Sequence, residues 1–103
     1  MAKRKVIWLQ NAEFQMLDIM DYYYFRNKSM TYSLSLHQQI KSKLQSLDFR
    51  IALPQKTSIE NLFYFTHNHI SLFFCIEDET VIVHIIWDDR RNPEKLKNIL
   101  DDL

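Results

Sequence analysis

The sequence predicts a single α+β domain in the order β-α-α-β-β-β-α, a helix hairpin packed on a mostly antiparallel four-stranded sheet. Three observations carry this. Two stretches of helical period stand next to each other between Ala12 and Phe49. After Pro54 come three runs rich in Phe, Tyr, Ile and Val, separated by gaps of hairpin length. The chain has 103 residues, 47% hydrophobic and 25% charged, enough for one core and too few for two. Residues 1–103 are therefore read as one domain without a linker, repeat or low-complexity tract.

Val6 to Gln10 is a short β-branched and aromatic run that stops at Asn11, and it reads as the first strand. Asn11 is then the expected N-cap. From Ala12 onward, Ala12, Met16, Ile19, Met20 and Tyr23 share one helical face, and the helix should end near Asn27. In the second helix, capped by Ser29 or Thr31, the stripe is Tyr32, Leu36, Ile40 and Leu47 with Leu44 beside it, running to about Phe49. Two helices joined by so few residues form an antiparallel hairpin. Arg50 to Ser58, around Pro54, is read as loop.

The three later strands are expected at Leu62 to Thr66, Ile70 to Ile76 and Val81 to Trp87, a meander closed by hairpins at Asn68 and Asp78. A terminal helix follows from Glu94 to Leu103, started by Asn92 or Pro93, with Leu96, Ile99, Leu100 and Leu103 apolar.

The chain contains no glycine, where ordinary usage of about 7% would supply roughly seven. That excludes the glycine-dependent phosphate loops of nucleotide-binding folds. It also predicts that Asn and Asp take the left-handed positions at Asn27, Asn68 and Asp78. Thirteen Lys and Arg balance thirteen Asp and Glu, so nothing in the net charge favours non-specific attraction to nucleic acid. Cys75 is the one cysteine and lies in an apolar run, where it reads as a small buried hydrophobe in a reducing compartment. No segment is long enough to span a bilayer and the N-terminal apolar run is too short for a signal peptide, so the expectation is a soluble, cytoplasmic protein.

A sheet covered on one side should alternate apolar and polar residues. These strands do not. One set of positions holds Leu62, Tyr64, Ile70, Leu72, Phe74, Ile76, Val81, Val83, Ile85 and Trp87. The other still holds Phe63, Phe65, Phe73, Cys75, Ile82 and Ile86. The helix hairpin covers one face. The second needs the terminal helix, a second copy of the chain or a different protein, and a partner chain over at least part of it is the expectation.

Chemistry is sparse. His67-Asn68-His69 falls at a turn with no cluster to complete a metal site, and no cofactor or metal is expected. Asp88-Asp89 reads as an ion pair with Arg90 or Arg91, because successive strand residues point apart. Cys75 has no evident base, and the triplet Tyr22-Tyr23-Tyr24 spreads around a helix, with one or two of its rings in the core. Lys3 to Lys5, Arg50, Lys56, Arg90, Arg91, Lys95 and Lys97 are the cations available to an acidic target.

Several stretches resemble a known family. Ile7-Trp-Leu-Gln-Asn-Ala12, followed by Leu17-Asp-Ile19 and Tyr22 or Tyr23, resembles the opening of RelE/ParE-family toxins. Ile85-Ile-Trp-Asp-Asp-Arg-Arg-Asn-Pro-Glu-Lys-Leu96 looks like the last strand and exit of a ParE-like branch, as do Lys56-Thr57 and Glu60-Asn61 before the meander. The resemblance spans about residues 5 to 97, and its element order is the one derived above. It implies the growth-inhibiting toxin of a type II toxin–antitoxin module, neutralised by a cognate antitoxin that wraps the sheet and hairpin. On that basis Phe63, Phe65, Phe73, Ile82 and Ile86 are the expected antitoxin-binding residues. Binding a target such as DNA gyrase, in the ParE manner, falls to Arg90, Arg91 and Lys95.

RelE-like members instead cut mRNA on the ribosome, for which the candidates would be Arg50, Lys56, His67, Arg90 and Arg91. Against this, Phe63 and Ser71 stand where the family often carries arginine, Phe73 or Phe74 where a tyrosine is common, and Trp87-Asp88 where its histidine would be. Loss of those cations removes the preorganised charge that such cleavage needs. An inactive interaction domain of the same fold is the third reading.

Overall fold

The computed structural model describes residues 4–47, 55–90 and 93–102. Its elements run β1 (Val6–Trp8), α1 (Gln10–Asn27), α2 (Thr31–Gln45), β2 (Gln55–Lys56), β3 (Phe63–His67), β4 (Ile70–Glu77), β5 (Thr80–Asp88) and α3 (Pro93–Asp101). The sheet has five strands rather than four, in the order β1-β5-β4-β3-β2. The extra strand is β2, inside the expected loop. Two residues pairing Gln55 with Tyr64 and Lys56 with Phe63 are too short to show a period in sequence. β1 pairs parallel to β5, and the other ladders are antiparallel.

Both hairpin turns form without glycine. Asn68 and His69 at one, and Asp78 and Glu79 at the other, all have positive φ, as the primed two-residue turns require. His69 and Glu79 therefore take a conformation that glycine, Asn or Asp adopts more easily. α1 likewise ends on a left-handed residue, but it is Lys28 and not Asn27. At the start of α1 the N-cap is Leu9, two residues earlier than the expected Asn11, and no side chain caps it. The N-cap of α2 is Met30 rather than the expected Ser29 or Thr31, and no side chain caps it, although Ser29 Oγ accepts a hydrogen bond from the Thr31 backbone N–H at 3.2 Å just before it. Phe49, Arg50, Pro54, Asn92 and Leu103 lie outside the described residues.

The helix stripes match their periodicity. Ala12, Met16, Ile19 and Tyr23 from α1 are buried, as are Ser33, Leu36, Ile40 and Leu44 from α2. Met20 and Leu47 are partly buried beside them, whereas Tyr32 is exposed. The buried Ser33 satisfies its hydroxyl by donating to the Met20 carbonyl oxygen at 2.7 Å, which ties the two helices together. On the sheet they meet Ile70, Leu72, Phe74, Val81, Val83 and Ile86, with Phe63 and Phe65 packed alongside.

The sheet faces differ from the simple alternation in two ways. Phe63 pairs with Phe74 and Phe65 with Leu72, so Phe63 and Phe65 belong to the hairpin side with Leu72 and Phe74. Between Phe73 and Phe74 the register to β5 slips: Phe73 pairs with Ile85 but Phe74 with Val83, leaving His84 as the extra residue of a bulge. Beyond it, Ile85 and Trp87 turn away from the hairpin and Ile86 toward it. Leu62, Phe73, Ile85 and Trp87 form a second buried cluster, on which Leu96, Ile99 and Leu100 of α3 rest. The terminal helix thus supplies cover for part of the second face, although none of its described residues is fully buried.

α1 continues the edge of the sheet where β1 stops. The Leu9 N–H donates to the Val83 carbonyl oxygen, and six residues further the Gln15 Oε1 accepts the Ile86 N–H at 2.8 Å. A side chain thereby replaces the ladder partner that a longer β1 would have provided.

Candidate functional site

The best-defined polar constellation lies where β5 ends beside α1. Asp88 is buried at 6% exposure, and its Oδ1 accepts the Arg90 backbone N–H at 2.9 Å. That turn folds the arginine back over the carboxylate. Arg90 Nε then donates to Oδ1 at 3.2 Å and Nη2 to Oδ2 at 3.1 Å, a two-point ion pair. Nη2 also donates to the Tyr23 hydroxyl, and the guanidinium carbon lies 5.6 Å from the centroid of that ring. The hydrogen bond to Asp88 is the main cause that holds Arg90 protonated well beyond the ordinary guanidinium range. Burial pushes the Tyr23 phenol up, with Arg90 opposing and Asp88 and Tyr32 adding to the rise.

The expected carboxylate–arginine pairing is therefore Asp88 with Arg90, and it leaves the arginine side chain 45% exposed. Ile19, Tyr22, Asp88 and Arg90 line a shallow open cleft there. Tyr22 and Tyr24 are exposed and Tyr23 is buried, as a triplet wound around a helix requires. Sequence spacing did not connect Tyr23 to Arg90, because the contact joins residues 67 apart in the chain.

Asp89 is held separately. Its Oδ1 accepts the Ser71 hydroxyl at 2.6 Å, the Asp89 backbone N–H donates to the His69 carbonyl oxygen at 2.7 Å, and Ser71 Oγ lies 3.3 Å from Thr66 Oγ1. The two adjacent aspartates thus serve different networks. They do not make a paired acid site.

Of the residues considered for RNA cleavage, Lys56, His67 and Arg90 are described, and no hydrogen bond or ion pair joins them to one another. His67 ends β3 with its Nε2 3.0 Å from Gln39 Oε1 on α2, and burial, reinforced by Lys43, pushes its pKa down. Lys56 is exposed on β2 and pairs with Phe63, at the other end of β3 from His67. Arg50 and Arg91 lie outside the described residues. Across the five strands, Lys56 is the one Lys or Arg. Among the described residues, no three His, Cys, Asp or Glu side chains are grouped to hold a metal ion.

Cys75 is free and buried, with its sulfur 3.2 Å from His84 Nε2. Cys75 pairs with Ile82, and His84, two residues further along β5, reaches it diagonally across the ladder. Burial raises the thiol and lowers the imidazole, so the pair rests in its neutral form rather than as thiolate and imidazolium.

The five residues assigned to antitoxin binding do not share a face. Phe63, Phe65 and Ile86 belong to the hairpin-side core, and Phe73 is buried in the cluster under α3. Ile82 alone of the five is partly exposed and outside both clusters. The register of β3 and the β5 bulge account for the scatter. Of the cations, Lys95 is exposed on α3, while Arg90 is turned onto Asp88 and Tyr23.

An exposed apolar surface lies on the outside of α1, where Phe14, Leu17, Tyr24 and Phe25 face solvent. No helix among the described residues is long and apolar enough to cross a membrane.

No protein-family model and no curated protein matches this sequence. Among solved structures, the chain is similar to one from a chromosomal ParDE TA system of P. aeruginosa, with a TM-score of 0.62. The two are 15% identical, over 81% of this chain and 92% of that one. The likeness establishes a common fold, nearly the whole of that neighbour's length included.

Proposed function

We propose that the chain is the toxin of a type II toxin–antitoxin pair, kept inactive by an antitoxin chain and arresting growth by binding its target rather than by cutting RNA. The fold it shares with a ParDE system chain supports the toxin reading. The near absence of cations from the sheet carries the choice of mechanism. Strands β3, β4 and β5 contain no Lys or Arg. The face beneath α3 is built from Leu62, Tyr64, Phe73, Ile85 and Trp87. Phosphodiester cleavage through a charged transition state calls for preorganised positive charge at the reacting phosphate, and such a face offers none.

Target contact is assigned to Arg90, Arg91 and Lys95, with DNA gyrase as the target in the ParE manner. Arg90 suits this role because Asp88 and Tyr23 fix its guanidinium in one orientation while leaving almost half of the side chain open. Expression without an antitoxin should arrest growth, and purified protein at micromolar concentration should inhibit gyrase supercoiling, with Arg90→Ala losing both effects. Absence of supercoiling inhibition would remove gyrase as the target. Toxin-dependent cuts in translated message, seen by primer extension, would overturn the binding mechanism in favour of mRNA cleavage.

A further inference from the structure

α1 is apolar on two opposite sides. The inner side packs on the sheet; the outer carries Phe14, Leu17, Tyr24 and Phe25, which are 56%, 54%, 41% and 73% exposed. At about 100° per residue these four fall within an arc of roughly 100°, over about 16 Å of helix. Scattered apolar residues are ordinary on a protein surface, but a continuous row of this kind marks an interface.

The row has internal order. Phe14, Leu17, Asp21 and Tyr24 follow the alternating three- and four-residue steps of a helix–helix seam. Asp21 sits at the middle of that seam, and Asp18 flanks it on the same side as Phe25. Neither aspartate has an ion-pair partner among the described residues. Both carboxylates would be drawn out of water when the row is covered, which costs free energy unless the covering surface brings positive charge.

This decides between occupants. In a symmetric pair of α1 helices, parallel or antiparallel, Asp18 and Asp21 of one copy would meet those of the other at the centre of the contact, so a second copy of the chain is disfavoured. α3 is engaged on the far side of the sheet with Leu62, Phe73, Ile85 and Trp87. A convex helical ridge with this spacing is matched by the grooves of another helix.

We infer that the outer row of α1 docks an amphipathic helix from a different chain, apolar at positions three and four apart and carrying Lys or Arg at its centre opposite Asp18 and Asp21. This rests on the reading that a partner chain holds the protein, and it adds the place of contact and the sign of the partner's charge.

The test uses the intact protein and two synthetic amphipathic helical peptides of about three heptads. Both carry leucine along the seam; one has lysine and the other glutamate at the central seam and flanking positions. Fluorescence anisotropy should show the lysine peptide binding at least about tenfold tighter. Its affinity should fall with salt, be lost in the Phe14→Ser/Phe25→Ser double variant, and be exceeded by that of the glutamate peptide in Asp18→Lys/Asp21→Lys. All four positions are exposed, so these variants keep the fold, which circular dichroism checks.

Equal binding of the two peptides, tighter binding of the glutamate peptide, or binding of neither would overturn the inference. So would a dimer in sedimentation that Phe25→Ser dissolves, since the row would then serve a second copy. Growth after expression in cells is read separately. If growth is normal while the peptides are still discriminated, the toxin reading fails and the docking surface stands; the reverse result leaves the toxin and removes the surface.

Discussion

The two faces of one sheet are covered in very different ways. On the hairpin side, Leu72, Phe74, Val81 and Val83 from the strands meet Ala12, Ile40 and Leu44 from the helices, all with no measurable exposure. On the other side, Phe73, Ile85 and Trp87 meet a terminal helix that contacts them through three half-buried side chains and has no buried residue among those described. Both faces are apolar enough to need cover. The difference is that α1 and α2 are bound to each other and to the sheet edge by hydrogen bonds, whereas the described contact of α3 with the sheet is side-chain packing. The hairpin side is therefore expected to carry the larger share of the stability.

Adjacent residues on β4 allow the largest effect to test this. Phe74→Ala opens a cavity enclosed by both helices and should cost about 4–5 kcal/mol, while Phe73→Ala, under a helix that can settle into the space, should cost about 3 kcal/mol. Urea denaturation gives both values. Equal losses would break the contrast between the faces.

Next in size is the edge bond of Gln15. The Ile86 N–H is buried in a residue 1% exposed, and Gln15→Leu removes its acceptor without opening a large cavity. An unsatisfied buried amide costs about 1–3 kcal/mol, and the Ile86 amide should lose hydrogen-exchange protection relative to its neighbours. Ile99→Ala on α3 should cost about 1 kcal/mol, because the side chain is only partly withdrawn from water. It should leave exchange on the hairpin side unchanged.

The helix stripes were legible in sequence because their periodicity is local. Met16, Ile19, Leu36 and Ile40 are recognised without any knowledge of the partner surface. Asn68 and Asp78 were legible as turn residues because few side chains tolerate a positive φ when glycine is absent. The sheet faces were not, since the two-residue turn at Asn68 sets the register that puts Phe63 and Phe65 on the hairpin side, and a bulge at His84 reverses every assignment beyond it on β5, where nothing in the string Val-His-Ile-Ile marks which residue is extra. β2 was hidden by its length. At the site, the Asp88–Arg90 pair follows from two residues of separation and could be foreseen. Tyr23 joins it only through the packing of α1 along β5. The exposed row on α1 escaped notice because one helix there carries two apolar sides, and the buried one accounts for the periodicity by itself.

The smallest effect separates the faces by pH and salt. His67, on the hairpin side, and His84, on the other, both have pKa values pushed below the ordinary 6.5, in each case first by burial. As pH falls through 6.5 the unfolded chain takes up protons that the folded chain resists, so stability is full above that value and declines below it. His67→Gln and His84→Gln should each flatten that decline in denaturation midpoints measured across the acid range. Their neighbours then give opposite salt responses. Lys43 repels a charged His67, and screening it lets the folded protein accept the proton more easily, so salt should reduce the His67 share of the acid loss. Glu77 attracts a charged His84, and screening it should enlarge the His84 share. Salt should therefore shrink the acid decline in His84→Gln, where His67 remains, and deepen it in His67→Gln, where His84 remains. The same sign in both variants would mean that burial alone governs the two histidines and that their charged neighbours do not distinguish the faces.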